Sequence, residues 1–160
     1  RGMCMPTDHE RFIQMAIEEA EKGGAEGNSA VGSIIVEGGT VIGVGRNTAL
    51  ATKDPTAHAE TVALRETAVA LGRSDFSGCA LYTTFQPCPM CSGAIMVSGI
   101  STVVMGARPN PGESPYGDFS VENLFQVSGW ESKIEVVTGI LVEECWKVRL
   151  DWAEKNGLNR

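Results

Sequence analysis

The spacing of apolar positions changes along the chain, and each change marks a predicted element. Thr7 opens a capping box, and apolar residues then recur every three or four positions as far as residue 20, which predicts a helix. Residues 23 and 24 are both glycine, which favours the end of this helix at that point. Apolar runs at 31–36 and 41–45, separated by a glycine-rich turn, predict a β-hairpin.

After a polar loop at 47–55, the pattern alternates between helix and strand spacing. The predicted elements are a helix at 58–71, a strand at 80–85, a helix at 88–97, strands at 102–107 and 134–141, and a helix at 143–155. Strands separated by helices favour a largely parallel sheet covered on both faces, and the first hairpin makes this α/β sheet mixed. Residues 108–129 are rich in Pro, Gly and Ser, with a possible short helix at 121–127, and such a long insert is typical of a lid or binding loop.

Length and composition indicate a single domain spanning residues 1–160. The chain is 42% hydrophobic and 21% charged, which is ordinary for a globular protein. No apolar run approaches the length of a membrane span, so no membrane partner is expected. Residues 1–6 form a loose end without the apolar core of a secretory signal, and we expect a cytoplasmic location.

The net charge of −7 makes nucleic acid an unlikely partner, because an acidic surface repels phosphate backbones. No window of the sequence concentrates Lys and Arg.

The five cysteines are an odd number in a chain without a signal, which argues against a disulfide framework. Two of them, Cys79 and Cys145, are predicted to be small buried apolar residues. Of the two histidines, His9 falls in the first turn of a helix, where we expect it to face solvent.

Two short motifs carry the candidate chemistry: His58-Ala59-Glu60 and, thirty residues on, Pro87-Cys88-Pro89-Met90-Cys91. One imidazole and two thiolates suit zinc, and three protein ligands leave a fourth position for water, as in catalytic sites. Both His58 and Cys88 fall at predicted helix N-termini, whose partial positive charge favours a thiolate. Glu60 lies two residues from His58, too close to share its helical face, so it is better placed beside the water than as a fourth ligand.

These motifs resemble the H-x-E…P-C-x-x-C signature of the zinc deaminases. Together with the segments 54–57, 81–84 and 93–95, they resemble the branch that contains bacterial tRNA adenosine deaminase, guanine deaminase and fungal cytosine deaminase. The resemblance covers roughly residues 7–152. It implies a three-layer α/β/α sandwich with a five-stranded mixed sheet, the cytidine deaminase-like fold, and a homodimer.

The same resemblance implies the roles of individual residues. The metal ligands are His58, Cys88 and Cys91, which hold one Zn²⁺ per chain with a catalytic water. Glu60 is the catalytic proton shuttle. Asn47 and Ala59 contact the substrate.

The choice of substrate depends on the last helix. The tRNA enzymes carry a Lys/Arg-rich last helix, whereas here its charges are mixed and its aromatic residues prominent. Trp152, with Asp151 or Glu154, resembles the ring contacts of the free-base enzymes, and Trp146 and Trp152 are either core residues or a pocket wall. Gln86 departs from the pattern of the tRNA and guanine enzymes, which commonly have Glu before the corresponding Pro.

The expected function is therefore hydrolytic deamination of a free nucleobase or related small amino-heterocycle, of cytosine, isocytosine or guanine type, with release of ammonia. The alternative is tRNA-specific adenosine deamination, and a remote alternative is an inactive zinc-fold binding protein. Either the loop at 109–118 or the final helix is the candidate lid.

Overall fold

A computed structural model describes residues 5–158 of the chain. Cys4 and most of the expected loose end at 1–6 lie outside the described residues. Helices and strands alternate along the chain. The helices are α1 (Asp8–Ala25), α2 (Ala49–Thr52), α3 (Ala59–Leu71), α4 (Pro89–Ser98), α5 (Val121–Val127) and α6 (Val142–Lys155). The strands are β1 (Gly32–Glu37), β2 (Thr40–Arg46), β3 (Ala80–Phe85), β4 (Thr102–Ala107) and β5 (Glu135–Val137).

The five strands form one mixed sheet in the order β2-β1-β3-β4-β5, which confirms the expected five-stranded mixed sheet. β1 is antiparallel to both of its neighbours, while β4 is parallel to β3 and to β5. The expectation of a largely parallel sheet is therefore wrong for the half of the sheet around β1, where both pairings are antiparallel. The helical crossover through α3 does join two parallel strands, β2 and β3, but β1 lies between them and runs the opposite way.

Helices cover both faces of the sheet and complete the predicted three-layer sandwich. Alternate strand residues point to opposite faces, so Ile35 and Leu81 pack with α3, α4 and α5, whereas Ile34 and Tyr82 pack with α1 and α6. No helix among residues 5–158 is long and apolar enough to cross a membrane.

Local differences from the sequence expectations have physical causes. Strand β5 spans three residues rather than 134–141, and the chain turns into α6 through Leu141 in a left-handed conformation. Helix α1 continues past the glycines at 23–24 as far as Ala25. His9, which was expected to face solvent, is partly exposed, and its Nδ1 lies 2.8 Å from the hydroxyl of Tyr82.

Cys79 and Cys145 are both buried, as predicted, and are free thiols.

A glycine on β2 sets how closely α3 approaches the sheet. A Cβ at Gly45 would lie 2.5 Å from the carbonyl oxygen of Ala59 and 2.5 Å from the amide nitrogen of Ala63. Both atoms belong to the backbone of α3, so the contact cannot be relieved by a side-chain rotation. The first turn of α3 carries Glu60 and follows His58, so this close approach also positions the candidate site.

We predict that Gly45→Ala lowers the free energy of unfolding by about 1–3 kcal/mol, since overpacking forces the backbone apart, and lowers the zinc content of the purified protein. Chemical denaturation and metal analysis measure the two effects. The matched control is Gly93→Ala in α4, where an added Cβ meets nothing within 4 Å and helix propensity favours Ala. A Gly45→Ala protein as stable as the Gly93→Ala protein would contradict the proposed packing role.

Candidate active site

The site lies where two helices begin. His58 is the N-cap of α3, and Cys88 is the N-cap of α4, with Pro89 in its first turn. Pro89 costs no hydrogen bond there, because the first amide groups of a helix lack intrahelical partners. The Cys88 sulfur accepts the amide N–H of Cys91 at 3.5 Å. Two helix N-termini, each with a partial positive charge, therefore meet around a group of thiols.

The three predicted ligands converge as a metal site requires. His58 Nδ1 lies 3.5 Å from Cys88 Sγ and 3.6 Å from Cys91 Sγ, and the three ligand atoms all lie within 4.8 Å of one another. A tetrahedral zinc with nitrogen at about 2.0–2.1 Å and sulfur at about 2.3 Å separates nitrogen from sulfur by about 3.6 Å. Both the donor atoms and their spacing fit zinc.

The three ligand side chains shift one another's pKa values. The contact with Cys91, assisted by a hydrogen bond with His58, lowers the pKa of Cys88 to about 4. The contact between the two sulfurs, together with burial, raises the pKa of Cys91. His58 has a raised pKa, mainly because of its hydrogen bond with Cys88. A divalent ion needs both sulfurs as thiolates, so metal binding releases the proton that Cys91 otherwise keeps.

Glu60 is buried beside the ligands, with 3% of its surface exposed. Its Oε1 accepts hydrogen bonds from the hydroxyl of Thr83 at 3.0 Å and from that of Ser33 at 3.3 Å. Burial raises the pKa of Glu60, although hydrogen bonds from Cys91 and Thr83 oppose the shift. A carboxyl group with a raised pKa is suited to taking up and releasing protons.

A cavity of about 1140 Å³ opens onto these residues. Six of the predicted site residues line it: Asn47, His58, Ala59, Glu60, Cys88 and Trp152. Cys91 is fully buried behind Cys88. Asn47 is itself 8% exposed, and its Oδ1 accepts the amide N–H of Ala49 at 3.0 Å, which fixes the orientation of the side-chain amide.

Two predicted substrate contacts do not reach the cavity. Asp151 is exposed and its carboxylate bonds Lys147 at 2.6 Å, while Glu154 is exposed on the same helix. Neither carboxylate lines the cavity. Residues one or two positions from Trp152 point away from its helical face, whereas those three or four positions away share it. The expected carboxylate contact from α6 is therefore not formed in this structure.

Sequence reasoning missed several residues that line the cavity. From α6 these include Arg149, and from the loop at 108–120 they include Tyr116 and Phe119, whose rings pack edge to face. The spacing of Trp146, Arg149 and Trp152, three residues apart, is the signal that identifies the inward face of α6. Both Trp146 and Trp152 are wall residues, and both candidate lid segments contribute to the wall.

An α/β sandwich that brings a histidine and two cysteines together beside a buried carboxylate defines a class, the zinc-dependent deaminases. A family model described as "Cytidine and deoxycytidylate deaminase zinc-binding region" matches residues 6–107, and the chain belongs to this family. The chain is thus a zinc-dependent aminohydrolase, and its zinc is bound by His58, Cys88 and Cys91.

Individual relatives point to two kinds of substrate. The tRNA-specific adenosine deaminase of Bacillus subtilis is 36% identical over 141 residues, 87% of this chain and 84% of that protein. A guanine deaminase from Nitrosomonas europaea superposes with a TM-score of 0.79 at 26% identity, over 96% of this chain and 87% of the other. The protein NE0047, in complex with 2,6-diaminopurine, superposes with a TM-score of 0.83 at 26% identity, over 100% of this chain and 87% of the other.

We predict that Cys91→Ser binds less than one zinc per chain and unfolds at a lower temperature, because one of three ligands loses its thiolate. Metal analysis and thermal denaturation measure both. Cys79→Ala, which removes a buried thiol outside the ligand set, is the control and should retain a full zinc. A full complement of zinc in Cys91→Ser would exclude Cys91 as a ligand.

Glu60→Ala should keep its zinc and lose turnover by about 10²–10⁴-fold, the usual contribution of a general acid–base group. Metal content and ammonia release are measured on the same preparation. Glu19→Ala is the control, because Glu19 is also buried but bonds Arg46 and Lys22 instead of facing the site. Equal loss of zinc and activity in Glu60→Ala would make Glu60 a ligand instead.

Proposed function

We propose that the chain is a zinc-dependent aminohydrolase of a free amino-substituted heterocycle of nucleobase size. The observation that carries this proposal is the position of α6, which borders the same cavity as the metal ligands and contributes Trp146 and Trp152 to its wall. With Tyr116 and Phe119 from the loop, these rings give the cavity flat apolar sides. Such sides suit a planar ring, because aromatic groups stack favourably face to face or edge to face.

The surface charges support a small substrate over a nucleic acid. Several arginines are already paired with carboxylates, such as Arg46 with Glu19 and Glu26, and Arg108 with Glu122. Binding a tRNA requires cations that can neutralise phosphates, and a chain of net charge −7 offers few. The superposition on NE0047 with 2,6-diaminopurine agrees with this proposal, because it covers the whole chain, α6 included.

A second candidate is adenosine deamination in tRNA. It is favoured by the 36% identity to the tRNA-specific adenosine deaminase of Bacillus subtilis, which extends over 87% of this chain. The two candidates share the zinc site and the proton carrier and differ in what enters the cavity. The homodimer expected from the family resemblance stays a prediction under either candidate.

Each residue of the site has its own role in the proposed reaction. Zinc, when bound, acts as a Lewis acid that makes water a nucleophile at neutral pH. Glu60 takes the proton that the attacking water loses and gives it to the ring nitrogen. It then carries a second proton, from the hydroxyl group added to the ring carbon, to the departing amine. Thr83 and Ser33 hold Oε1 of Glu60 in place, so the carboxylate needs little reorganisation. The side chain of Asn47 and the backbone of Ala59 orient the ring, and the aromatic walls exclude bulk water.

We predict that the zinc-loaded protein releases ammonia from at least one of guanine, isocytosine and cytosine, and forms no inosine in tRNA. An enzyme-coupled ammonia assay and nucleoside analysis of digested tRNA measure the two activities side by side. The Glu60→Ala protein, loaded with zinc, serves as the blank. Inosine in tRNA with no ammonia from any base would reject the free-base proposal in favour of the second candidate.

A further inference from the structure

Gln86 contacts the chain at both ends of the loop at 108–120, which we call the cavity loop. This loop begins after Ala107, the last residue of β4, and ends before Val121, the first residue of α5. The amide N–H of Gln86 donates to the carbonyl oxygen of Ala107 at 2.8 Å, and Oε1 of Gln86 accepts the amide N–H of Val121 at 3.3 Å. One residue therefore joins the start of the cavity loop to its end.

The bond from Val121 satisfies a buried group that the helix itself leaves unpaired. The first amide groups of a helix have no acceptor within the helix, and the hydroxyl of Ser120 accepts the N–H of Asn123 instead. Val121 has 0% of its surface exposed, so its amide is shielded from water. An unpaired amide at this depth would be costly, and the oxygen of Gln86 removes that cost.

Other contacts of the cavity loop fasten it less firmly. Hydrogen bonds farther along it are local, such as that from the side-chain amide of Asn110 to Glu113 at 2.8 Å, and they shape the loop without tying it to the sheet. The ion pair of Arg108 with Glu122, at 3.0 Å, also bridges the two ends. Its side chains are 39% and 44% exposed, and ion pairs in such positions contribute little.

The cavity loop matters to the site because it forms part of the cavity wall. Tyr116 and Phe119 are among the loop residues that line the cavity, and Gln86 lines it too. Gln86 is also followed directly by Pro87 and by the metal ligand Cys88. Gln86 thus connects the segment that carries a ligand to the segment that carries the wall.

We propose that Gln86 is a positioning residue, which fastens the cavity loop to the end of β3 and so determines how tightly the substrate is held. It acts through the loop and not on the reacting atoms. When its bond to Val121 is lost, the complete wall forms in a smaller fraction of the molecules, and the apparent affinity falls by that fraction. The inference rests on the aminohydrolase reaction proposed for this cavity, and it applies to either candidate substrate.

Two substitutions separate the hydrogen bond of Gln86 from its size. Gln86→Met keeps the length of the side chain and removes the acceptor, whereas Gln86→Glu keeps an acceptor oxygen in the same place. The matched control is Gln126→Met, which makes the same replacement at an exposed glutamine of α5. Glu122→Gln removes the ion pair with Arg108 and tests the other contact between the loop ends.

Amide hydrogen exchange, followed by NMR on the zinc-loaded proteins, measures the fastening without any substrate. In Gln86→Met we expect the amide of Val121 to exchange about 5- to 150-fold faster than in the wild type, the effect of leaving one buried group unpaired. In Gln86→Glu, Gln126→Met and Glu122→Gln the rate should stay within about threefold of wild type. Every variant should keep a full zinc, because no ligand is changed.

Steady-state kinetics measure the consequence for the substrate. In Gln86→Met we expect KM to rise by at least about threefold, and by no more than the exchange of Val121 rises. The value of kcat should stay within about threefold, because Glu60 and the metal ligands keep their places. Gln86→Glu should restore the wild-type KM. The substrate is whichever of guanine, isocytosine and cytosine releases ammonia, or tRNA if inosine forms instead.

A substitution of the donor gives an independent test, which also serves if Gln86→Met does not fold. Val121→Pro removes the N–H, and proline suits the first position of a helix. Ser120 before it is already extended, as a residue that precedes proline must be. We expect Val121→Pro to raise KM as Gln86→Met does, and the double variant to raise it no further, because both changes remove the same bond.

Four outcomes would overturn the proposal. Unchanged exchange of Val121 in Gln86→Met would show that Gln86 does not fasten the loop, and faster exchange with an unchanged KM would separate the loop from substrate binding. Equal loosening in Glu122→Gln would assign the fastening to the ion pair. Loss of zinc in Gln86→Met would place its effect on the ligand segment.

Failure of the proposed function has a different signature. Inosine in tRNA without ammonia from any base rejects the free-base reaction, and KM for tRNA then decides the role of Gln86. A protein that acts on neither substrate rejects the role of Gln86 in substrate binding together with the proposed function. The exchange of Val121 still decides whether Gln86 fastens the loop.

Discussion

The N-termini of α3 and α4 are held against each other beyond the carboxyl end of β3, the central strand of the sheet, and the metal ligands depend on that contact. His58 caps one helix and Cys88 caps the other, so their side chains approach within 3.5 Å. The sheet enforces this arrangement. β3 delivers the chain directly into α4, and Gly45 on β2 lets the backbone of α3 approach more closely than any side chain would allow. A zinc ion held by these ligands ties the two helices together in turn.

The same sheet provides the environment of Glu60, the proposed proton carrier. Glu60 points inward from the first turn of α3, where Ser33 on β1 and Thr83 on β3 bond its Oε1. An unpaired carboxylate at this depth would be costly, and these hydroxyls offset part of that cost. Metal ligands and carboxylate thus belong to the regular elements of the fold, whereas the far wall of the cavity comes from the loop at 108–120 and from α6. In the proposed function, α3, α4 and the strands beside them carry the chemistry, and the loop at 108–120 and α6 carry the choice of substrate.

The division between chemistry and specificity also explains what the sequence could predict. His58, Glu60, Cys88 and Cys91 lie in two short motifs whose spacing and family resemblance are local properties, and the structure brings the three ligands together as expected. The wall residues depend on how α6 is rotated against α1 and β4, which is decided by tertiary packing. Asp151 and Glu154 are close to Trp152 in sequence, but the helical repeat places Arg149 on the same face as Trp152 instead. The order of the strands, with β1 inserted between two parallel strands, is likewise a non-local result.

The central claim is an open zinc site built from one histidine and two cysteines of a single chain. X-ray absorption spectroscopy at the zinc edge of the purified wild-type protein tests it most directly, because sulfur and lighter ligands differ in distance and scattering. The claim predicts two sulfur ligands at about 2.3 Å, with the remaining ligands nitrogen or oxygen at about 2.0–2.1 Å. A spectrum with three or four sulfur ligands, or with none, would contradict it.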